Sequence, residues 1–535
     1  MSEKEARELL DTVKNLTQTV NDLTQTVDDL TAENKRLKQK LDRMNELLLN
    51  AQRARFGQSS EKRGYVLPDS EQLRIFNEAE QAQDEKAEEP TEKTLVAAHE
   101  RKKKRTKEEI AKELPTKEVC LDLSEDQKIC SVCGEKMACI GKKFLYEELQ
   151  IIPKQIIRIQ YYANTYACKH CEEQTGFGHL VSVKAPARLL KHSLASPSTV
   201  ADVMTQKYVN GIPLYRQEQI WKREGVELSR ATLANWVNEV SKRWLRPLYR
   251  LMRKRLPELD VIHADETVVQ VLKEDGKPAT SESRMWVYAS GRYCTEPIRF
   301  FEYQPGRSGK HPAALLKDFS GCLVTDGYAG YAQVSGATRC GCWAHMRRKW
   351  REAMPKGATP ATSKAAVGYE YCNKLFALER KFEAFAPKTR QQARQAQAEP
   401  LLDVYWAWVD KLDAEPGSKL GEAVTFARNQ KAFLNEFLHH GEVDISNNIA
   451  ENAIRPFVVG RKNWLFCDTP KGAEASAIVY TLVETAKANS LDPFQYLNYV
   501  LLNIRFLGQN PSNEELGQFL PWNEDVRAAC KPKLS

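Results

Sequence analysis

Three carboxylates in this sequence could act together: Asp265, Asp326 and Glu451. Such a set can hold two Mg²⁺ ions ~4 Å apart, one activating an attacking oxygen and the other stabilising the leaving oxygen of an in-line phosphoryl displacement. Mg²⁺ takes few carboxylates and keeps positions for water and substrate phosphate. Crowded carboxylates repel one another, so the site needs its cations to stay ionised. Each acid also has a plainer role. Asp265 could end a strand, and Asp326 stands before Gly327 as turn residues do. Glu451 could pair at the surface with Arg455 one turn on, a contact worth little. Glu266 competes with Asp265, because side chains alternate across a strand and only one of the two can enter a site. Glu442, Glu474 and Glu484 compete with Glu451.

A second chemistry lies in Cys130-Ser-Val-Cys133 and Cys168-Lys-His-Cys171. Each C-x-x-C turn offers two thiolates to one tetrahedral ion, and two turns complete a closed four-sulfur Zn²⁺ site. Cys139, His170 and His179 are spare ligands, and a redox pair or buried thiols are the plainer readings. The segment between the turns, L-Q-I-I-P-K-Q-I-I-R-I-Q-Y-Y-A-N-T-Y-A, is rich in β-branched and aromatic residues and predicts strands that bring them together. Such zinc is structural.

The acids need elements to position them. D-V-I-H-A-D-E-T-V-V-Q-V-L (260–272) reads as a strand, followed by R-M-W-V-Y-A-S and I-R-F-F-E-Y as two more. H-P-A-A-L-L-K-D-F reads as a helix. G-C-L-V-T-D-G-Y is a fourth strand ending at Asp326, and A-T-R-C-G-C-W-A-H a fifth running into a basic helix, M-R-R-K-W. This order is that of a ribonuclease-H-like core, in which a later helix carries a third carboxylate across to two strand-borne ones. Mostly helical sequence, 357–440, intervenes before that helix. Asn447 or Ser446 can cap its start, and Pro456 ends it. Ala450, Ala453, Ile454 and Phe457 give it an apolar face, while Asn448, Glu451 and Arg455 share another. Arg347, Arg348 and Lys349, with Arg455, Arg461 and Lys462, are candidate phosphate contacts. Trp464 could stack on an unpaired base, although a core role is simpler.

Upstream, Ser196-Pro197 starts a helix ending near Gly211, a second spans Leu214 to Glu224, and Ser229 caps a third after the Gly225 turn. The three read as a helix-turn-helix, with Gln217, Lys222, Arg223, Arg230, Thr232 and Asn235 placed to meet DNA; an ordinary helical bundle is the alternative. Residues 6 to 51 carry a heptad with Ala6, Val13, Val20, Val27, Asn34, Leu41 and Leu48 at a, and Leu9, Leu16, Leu23, Leu30, Leu37 and Met44 at d. Val at a with Leu at d favours a parallel two-stranded coiled coil, and the single Asn sets register. A homodimer through this helix is expected, in preference to an intramolecular hairpin.

The chain of 535 residues is too long for one core and carries a net charge of +8, which permits nucleic-acid binding without requiring it. No apolar run approaches the ~20 residues of a membrane span, and Met-Ser-Glu-Lys-Glu-Ala-Arg starts a charged helix with no signal-peptide core. Thirteen scattered cysteines make disulfides a poor default. A cytosolic, multidomain α+β protein is expected. Its parts are a coiled-coil helix (1–55), a flexible charged linker (56–115), a zinc-ribbon-like module (116–185) and a helix-turn-helix-like region (190–255). A catalytic core with its insertion (256–489) and a C-terminal helical cap (490–535) complete it.

V-I-H-A-D-E-T, V-T-D-G-Y-A-G-Y, G-C-W-A-H-M-R-R-K and N-N-I-A-E-N-A-I-R-P-F-V-V-G-R-K-N-W-L-F resemble the DDE transposases of the insertion-sequence sixty-six family. P-L-Y-R-Q-E-Q-I-W-K-R-E-G-V-E-L-S-R-A-T-L-A-N-W-V, F-G-Q-S-S-E-K and the cysteine pairs are similar to it as well. The resemblance spans nearly the whole chain. It implies a bacterial protein acting on DNA, with Asp265, Asp326 and Glu451 as a Mg²⁺-dependent catalytic triad, a zinc module and small companion proteins from the same element. Asn452 stands where the family usually has arginine, a departure outside the triad. Cys342-Trp-Ala-His345 is similar to a signature after the second Asp in several DDE transposases, and either binds an ion or pins the insertion. The implied activity is cleavage at element ends and joining of the 3′-hydroxyl to target DNA. A catalytically silent DNA-binding regulator and a nuclease that cuts without joining are the alternatives.

Overall fold

The computed structural model describes residues 13–34, 36–37, 154–168, 179–183, 185 and 187–532 except positions 356 and 509, with isolated positions 124, 128 and 135. The larger compact unit is built mainly from Arg188–Gln219 and Glu227–Lys531; a second draws its described residues from Leu67–Ala187 and Ile220–Val226. No helix among the described residues is long and apolar enough to cross a membrane.

Helix α1 (13–34) exposes its whole seam: Val13, Leu16, Val20, Leu23, Val27 and Leu30 are each more than half accessible. The remaining heptad positions from 6 to 11 and from 41 to 51, and the linker at 56–115, lie outside the described residues. In the second unit, β1 (Thr165–Cys168) pairs antiparallel with β2 (His179–Ser182), setting Cys168 opposite His179. The expected strands are shorter than the sequence predicts. Residues 154–164 carry no regular element, and Ile157, Ile159, Tyr161 and Tyr162 are exposed. β propensity expresses itself only against a paired neighbour, and none stands beside this run among the described residues. Cys130, Cys133 and Cys171 lie outside the described residues, and Cys168 is described in its backbone alone.

The three short helices form as their caps predict. Ser196 closes a capping box on α2 (Pro197–Tyr208), α3 (Leu214–Arg223) leads to Gly225 at φ +82°, and Ser229 accepts from Thr232 N to start α4 (Arg230–Val240). Gln217 does not face outward. It is buried and its amide donates to the carbonyls of Val203 (3.2 Å) and Ile212 (3.0 Å), so it joins helices instead of meeting DNA. Arg230 and Asn235 are exposed.

After α5 (Arg246–Arg255) comes a five-stranded mixed sheet of order β5-β4-β3-β6-β7. β3 (Val261–Gln270) is central. It runs antiparallel to β4 (Glu282–Ser290) and parallel to β6 (Cys322–Thr325); β5 (Arg299–Gln304) and β7 (Thr338–Gly341) form the edges. Short helix α6 (Lys310–Leu315) precedes β6, and α7 (Trp343–Ala353) follows β7 with Cys342 at its N-cap. The helix therefore starts earlier than Met346, and the fifth strand stops at Gly341.

The insertion comprises α8 (Lys364–Lys381), α9 (Pro387–Ala393), α10 (Glu399–Asp410) and α11 (Lys419–Asn435). Trp343, Trp350, Tyr405 and Trp406 fill its core. Deep inside, Glu379 accepts from Arg390 (2.9 Å) and Arg394 (2.7 Å).

Helix α12 (Asn448–Trp464) differs from expectation in two ways. It runs straight through Pro456, because burying Ala450, Ala453, Ile454, Phe457 and Val458 outweighs the ~3 kcal/mol penalty of an interior proline. It ends instead at Leu465, whose φ is +62°. Asn447 occupies the cap position, yet its side chain makes no cap bond and is spent elsewhere. Gly460 lets Trp464 lie against the helix, since a Cβ there would meet the indole at 2.2 Å. Lys207 covers the Trp464 ring at 4.5 Å and Tyr208 meets it edge-on, so this tryptophan is a packing residue. Helix α13 (Pro470–Ala488) packs on β5, and α14 (Pro493–Asn503), α15 (Asn513–Gly517) and α16 (Glu524–Ala529) close the C-terminus.

Candidate active site

Register puts the first two acids together. His263 of β3 lies level with Val324 of β6 in parallel pairing. Asp265 lies two residues further along β3, and Asp326 two residues beyond Val324, just past the end of β6. β6 ends at Thr325, and Asp326 opens the following turn, its carboxylate accepting from Tyr328 N at 2.9 Å.

Helix α12 packs across β3 and β4 and brings Glu451 in its first turn. Asp265 is half-buried, and its carboxyl is held well above the usual range, by desolvation first and then by the charges of Glu266, Asp326 and Glu451. Asp326 and Glu451 thus both lie within electrostatic reach of Asp265. Glu451 Oε1 is buried with no hydrogen-bond partner among the described residues, while its carboxylate faces His345 Nδ1 at 3.7 Å and Arg348 at 3.8 Å. Crowded acids and an orphaned buried oxygen fit a place for divalent cations. Cys342 Sγ, a His345 nitrogen and a Glu451 oxygen lie within 4.8 Å of one another. Burial works against charge on His345, and Cys342 and Glu451 overcome it, raising its pKa to about 9.

The rivals already have partners of their own. Glu266 is bound by Arg307 Nε (2.6 Å) and Tyr331 Oη (2.7 Å), and its pKa is raised by burial and by Asp326. Glu474 pairs with Arg246 at 2.8 Å, Glu484 with Lys487 at 2.6 Å, and Glu442 lies beside His440 at 3.5 Å.

Asn447 joins the elements of the site. Its amide donates to Ala264 O at 2.9 Å, its Oδ1 lies 3.2 Å from His263 Nδ1, and its backbone N–H donates to Cys342 Sγ at 3.1 Å. One buried side chain therefore ties the strand of Asp265 to the helix of Glu451. Burial lowers the pKa of His263 to about 4, so this imidazole is neutral.

The basic candidates divide. Arg347 donates to Tyr369 Oη at 3.0 Å and lies over the Tyr369 and Phe376 rings, so it anchors the insertion and is not placed for a phosphate. Arg461 donates to Val268 O at the sheet. Lys462 is half-buried, with its pKa lowered by burial and then by Arg461. Lys349 is 4.0 Å from Glu352, and Arg455 is exposed.

A family model described as Transposase IS66 family matches residues 192–475, more than half of the chain. The chain belongs to that family. Models for the zinc-finger binding domain of transposase IS66 and the IS66 C-terminal element match residues 127–172 and 481–522. One described as Transposase C of IS166 homeodomain matches 43–119, across the end of the heptad and the charged segment. An uncharacterized protein of Sinorhizobium fredii, y4qI, is 30% identical over 393 residues, 70% of each chain. A second from that organism, y4jD, is 27% identical over 430 residues, 77% of this chain and 81% of its own. The Drosophila P element transposase strand transfer complex contains a chain 11% identical, covering 55% of this chain and 94% of that one, with a TM-score of 0.33, too distant to carry an argument.

For this transposase, the sequence missed what surrounds the acids. Arg307 and Tyr331 lie 41 and 65 residues from Glu266, with no local pattern linking them. Asn447 was visible only as a helix cap.

Proposed function

We propose that this transposase cleaves DNA at the ends of an insertion sequence and joins the freed 3′-hydroxyl to target DNA, using Asp265, Asp326 and Glu451 on a ribonuclease-H-like core. The observation that carries this reading is the convergence on Asp265, in the central strand, of Asp326, just past the end of β6, and of Glu451, on the helix packed across β3 and β4. These carboxylates would hold two Mg²⁺, which supply activation of the attacking oxygen and stabilisation of the leaving one. The remaining work belongs to the chain. Arg348 and His345 orient Glu451, and Asn447 fixes its helix against β3. Glu266 is bound to Arg307 and Tyr331, which keeps it braced beside the acids. Lys349 and Arg455 meet phosphates near the cut, and Arg230 and Asn235 contact the terminal repeats from the exposed side of α4. Arg461 and Lys462 support the strand-holding end of α12.

Cys130, Cys133, Cys168 and Cys171 hold structural Zn²⁺ in the module that helps bind element ends. The exposed seam of α1 pairs two protomers, so that both ends are held at once. Small companion proteins of the same element would act with this assembly. Water attacks first and the 3′-hydroxyl second, so no covalent protein–DNA intermediate is needed.

The test is metal-dependent nicking and strand transfer on end-containing DNA. Asp265→Asn, Asp326→Asn and Glu451→Gln should each lower nicking by about 10²–10³-fold or more, the scale of losing a preorganised electrostatic group, while DNA binding persists. Variants that nick as well as the parent would sink the catalytic assignment. Binding without nicking by the parent would mark a regulator, and nicking without joined product a nuclease.

A further inference from the structure

A second group of metal-binding side chains lies at the other end of β6 from Asp326. Cys322 opens that strand, and Cys340 stands on its parallel neighbour β7, level with Val324. Both are buried, and the Cys340 thiol points to Thr338 O at 3.8 Å. The loop closing the helical insertion brings up His440 and Glu442. Cys322 Sγ, a His440 ring nitrogen and a Glu442 oxygen all lie within 4.8 Å of one another. His440 Nδ1 is 3.5 Å from Glu442 Oε1. That is long for a hydrogen bond, yet it is the spacing of two ligands on one tetrahedral ion with bonds of about 2.0–2.3 Å. The other ring nitrogen, Nε2, faces Glu436 at 3.9 Å, where a carboxylate orients a ligating imidazole.

The loop is held rigid before any ion arrives. Arg394 donates to the carbonyls of Phe437, His440 and Val443, each at 2.8 Å. Gly441, between the two ligands, packs so closely on Pro387 that a Cβ would meet its carbonyl at 1.8 Å. Glu442 also lines a cleft with Glu258 and Asp260, an acidic approach for a cation.

We propose that Cys322, His440 and Glu442 bind one Zn²⁺. A thiolate and an imidazole select zinc over magnesium, and a water completes the tetrahedron around three protein ligands. The ion clips the end of the insertion to the base of the sheet, six residues before α12 begins. It is separate from the carboxylate site and from the C-x-x-C pairs, and it does not rest on the transposition reading.

The experiment measures zinc per full-length chain by mass spectrometry of the metal, with Co²⁺ substitution read by absorption. The double variant His440→Gln/Glu442→Gln changes half-exposed side chains, so it keeps its fold, checked by circular dichroism. It should hold one zinc fewer than the parent and lose the matching share of the thiolate-to-cobalt band. A Cys130→Ser/Cys133→Ser variant should keep the zinc and the band of this site. Equal zinc in parent and double variant overturns the proposal, as does recovery of Cys322 and Cys340 as a metal-free disulfide.

Discussion

Asp265 lies half-buried beside three other carboxylates, and desolvation with their charge holds it well above the ordinary range. Its neighbour Glu266 is also a carboxylate, but Arg307 and Tyr331 already occupy its oxygens. The two should therefore differ on mutation. Glu266→Gln keeps a partner for Tyr331 and should lower nicking by no more than about 10–100-fold, the range for residues that support metal ligands, whereas Asp265→Asn should reach background. Parallel nicking assays decide this, and equal losses would exchange their roles. Asn447→Ala removes the amide that bonds Ala264 O and approaches His263, leaving buried partners unmet. It should cost about 1–3 kcal/mol in denaturant unfolding and reduce nicking with DNA affinity unchanged. The acids themselves were legible as sequence, because strand-like and helix-like patterns surround each. Asn447 was not, since an asparagine before a helix reads first as its cap.

Among the elements, the helical insertion depends on Glu379, buried with Arg390 and Arg394. Burial alone would raise its pKa, and bonds from the two arginines outweigh that, leaving it below the ordinary value. A carboxylate with a depressed folded pKa stabilises above its unfolded value of about 4.5 and loses that contribution as pH falls through the folded one. Unfolding midpoints should therefore drop on acidification below about pH 4.5. Glu379→Ala should flatten this part of the profile and cost about 3–5 kcal/mol at neutral pH, because two buried guanidinium groups lose their partner. Helix α12 carries a different cost at Pro456. Pro456→Ala restores a backbone donor inside the helix and should raise the denaturation midpoint; a fall would mean that the proline's shape is needed where it packs. Both features were hidden in the sequence. Proline statistics speak for isolated helices, and nothing local marks Glu379 as buried.

At the scale of the whole molecule, α1 presents a continuous apolar seam that nothing in its own chain covers among the described residues. Leu23→Asp places a charge at a d position and should convert a dimer to a monomer in light scattering, leaving zinc content unchanged. A parent that is already monomeric would remove the proposed pairing. The sequence by itself determined the elements: heptads, caps, the strand order around Asp265 and Asp326, and the family. Those signals are local, because periodicity and capping need only neighbours in the chain. Tertiary structure decided which acids meet, which arginines are already engaged and where the Glu451 helix ends. It also decided that Cys322 meets His440 and Glu442. These depend on register and burial between segments 22 to 193 residues apart, where no local pattern reaches.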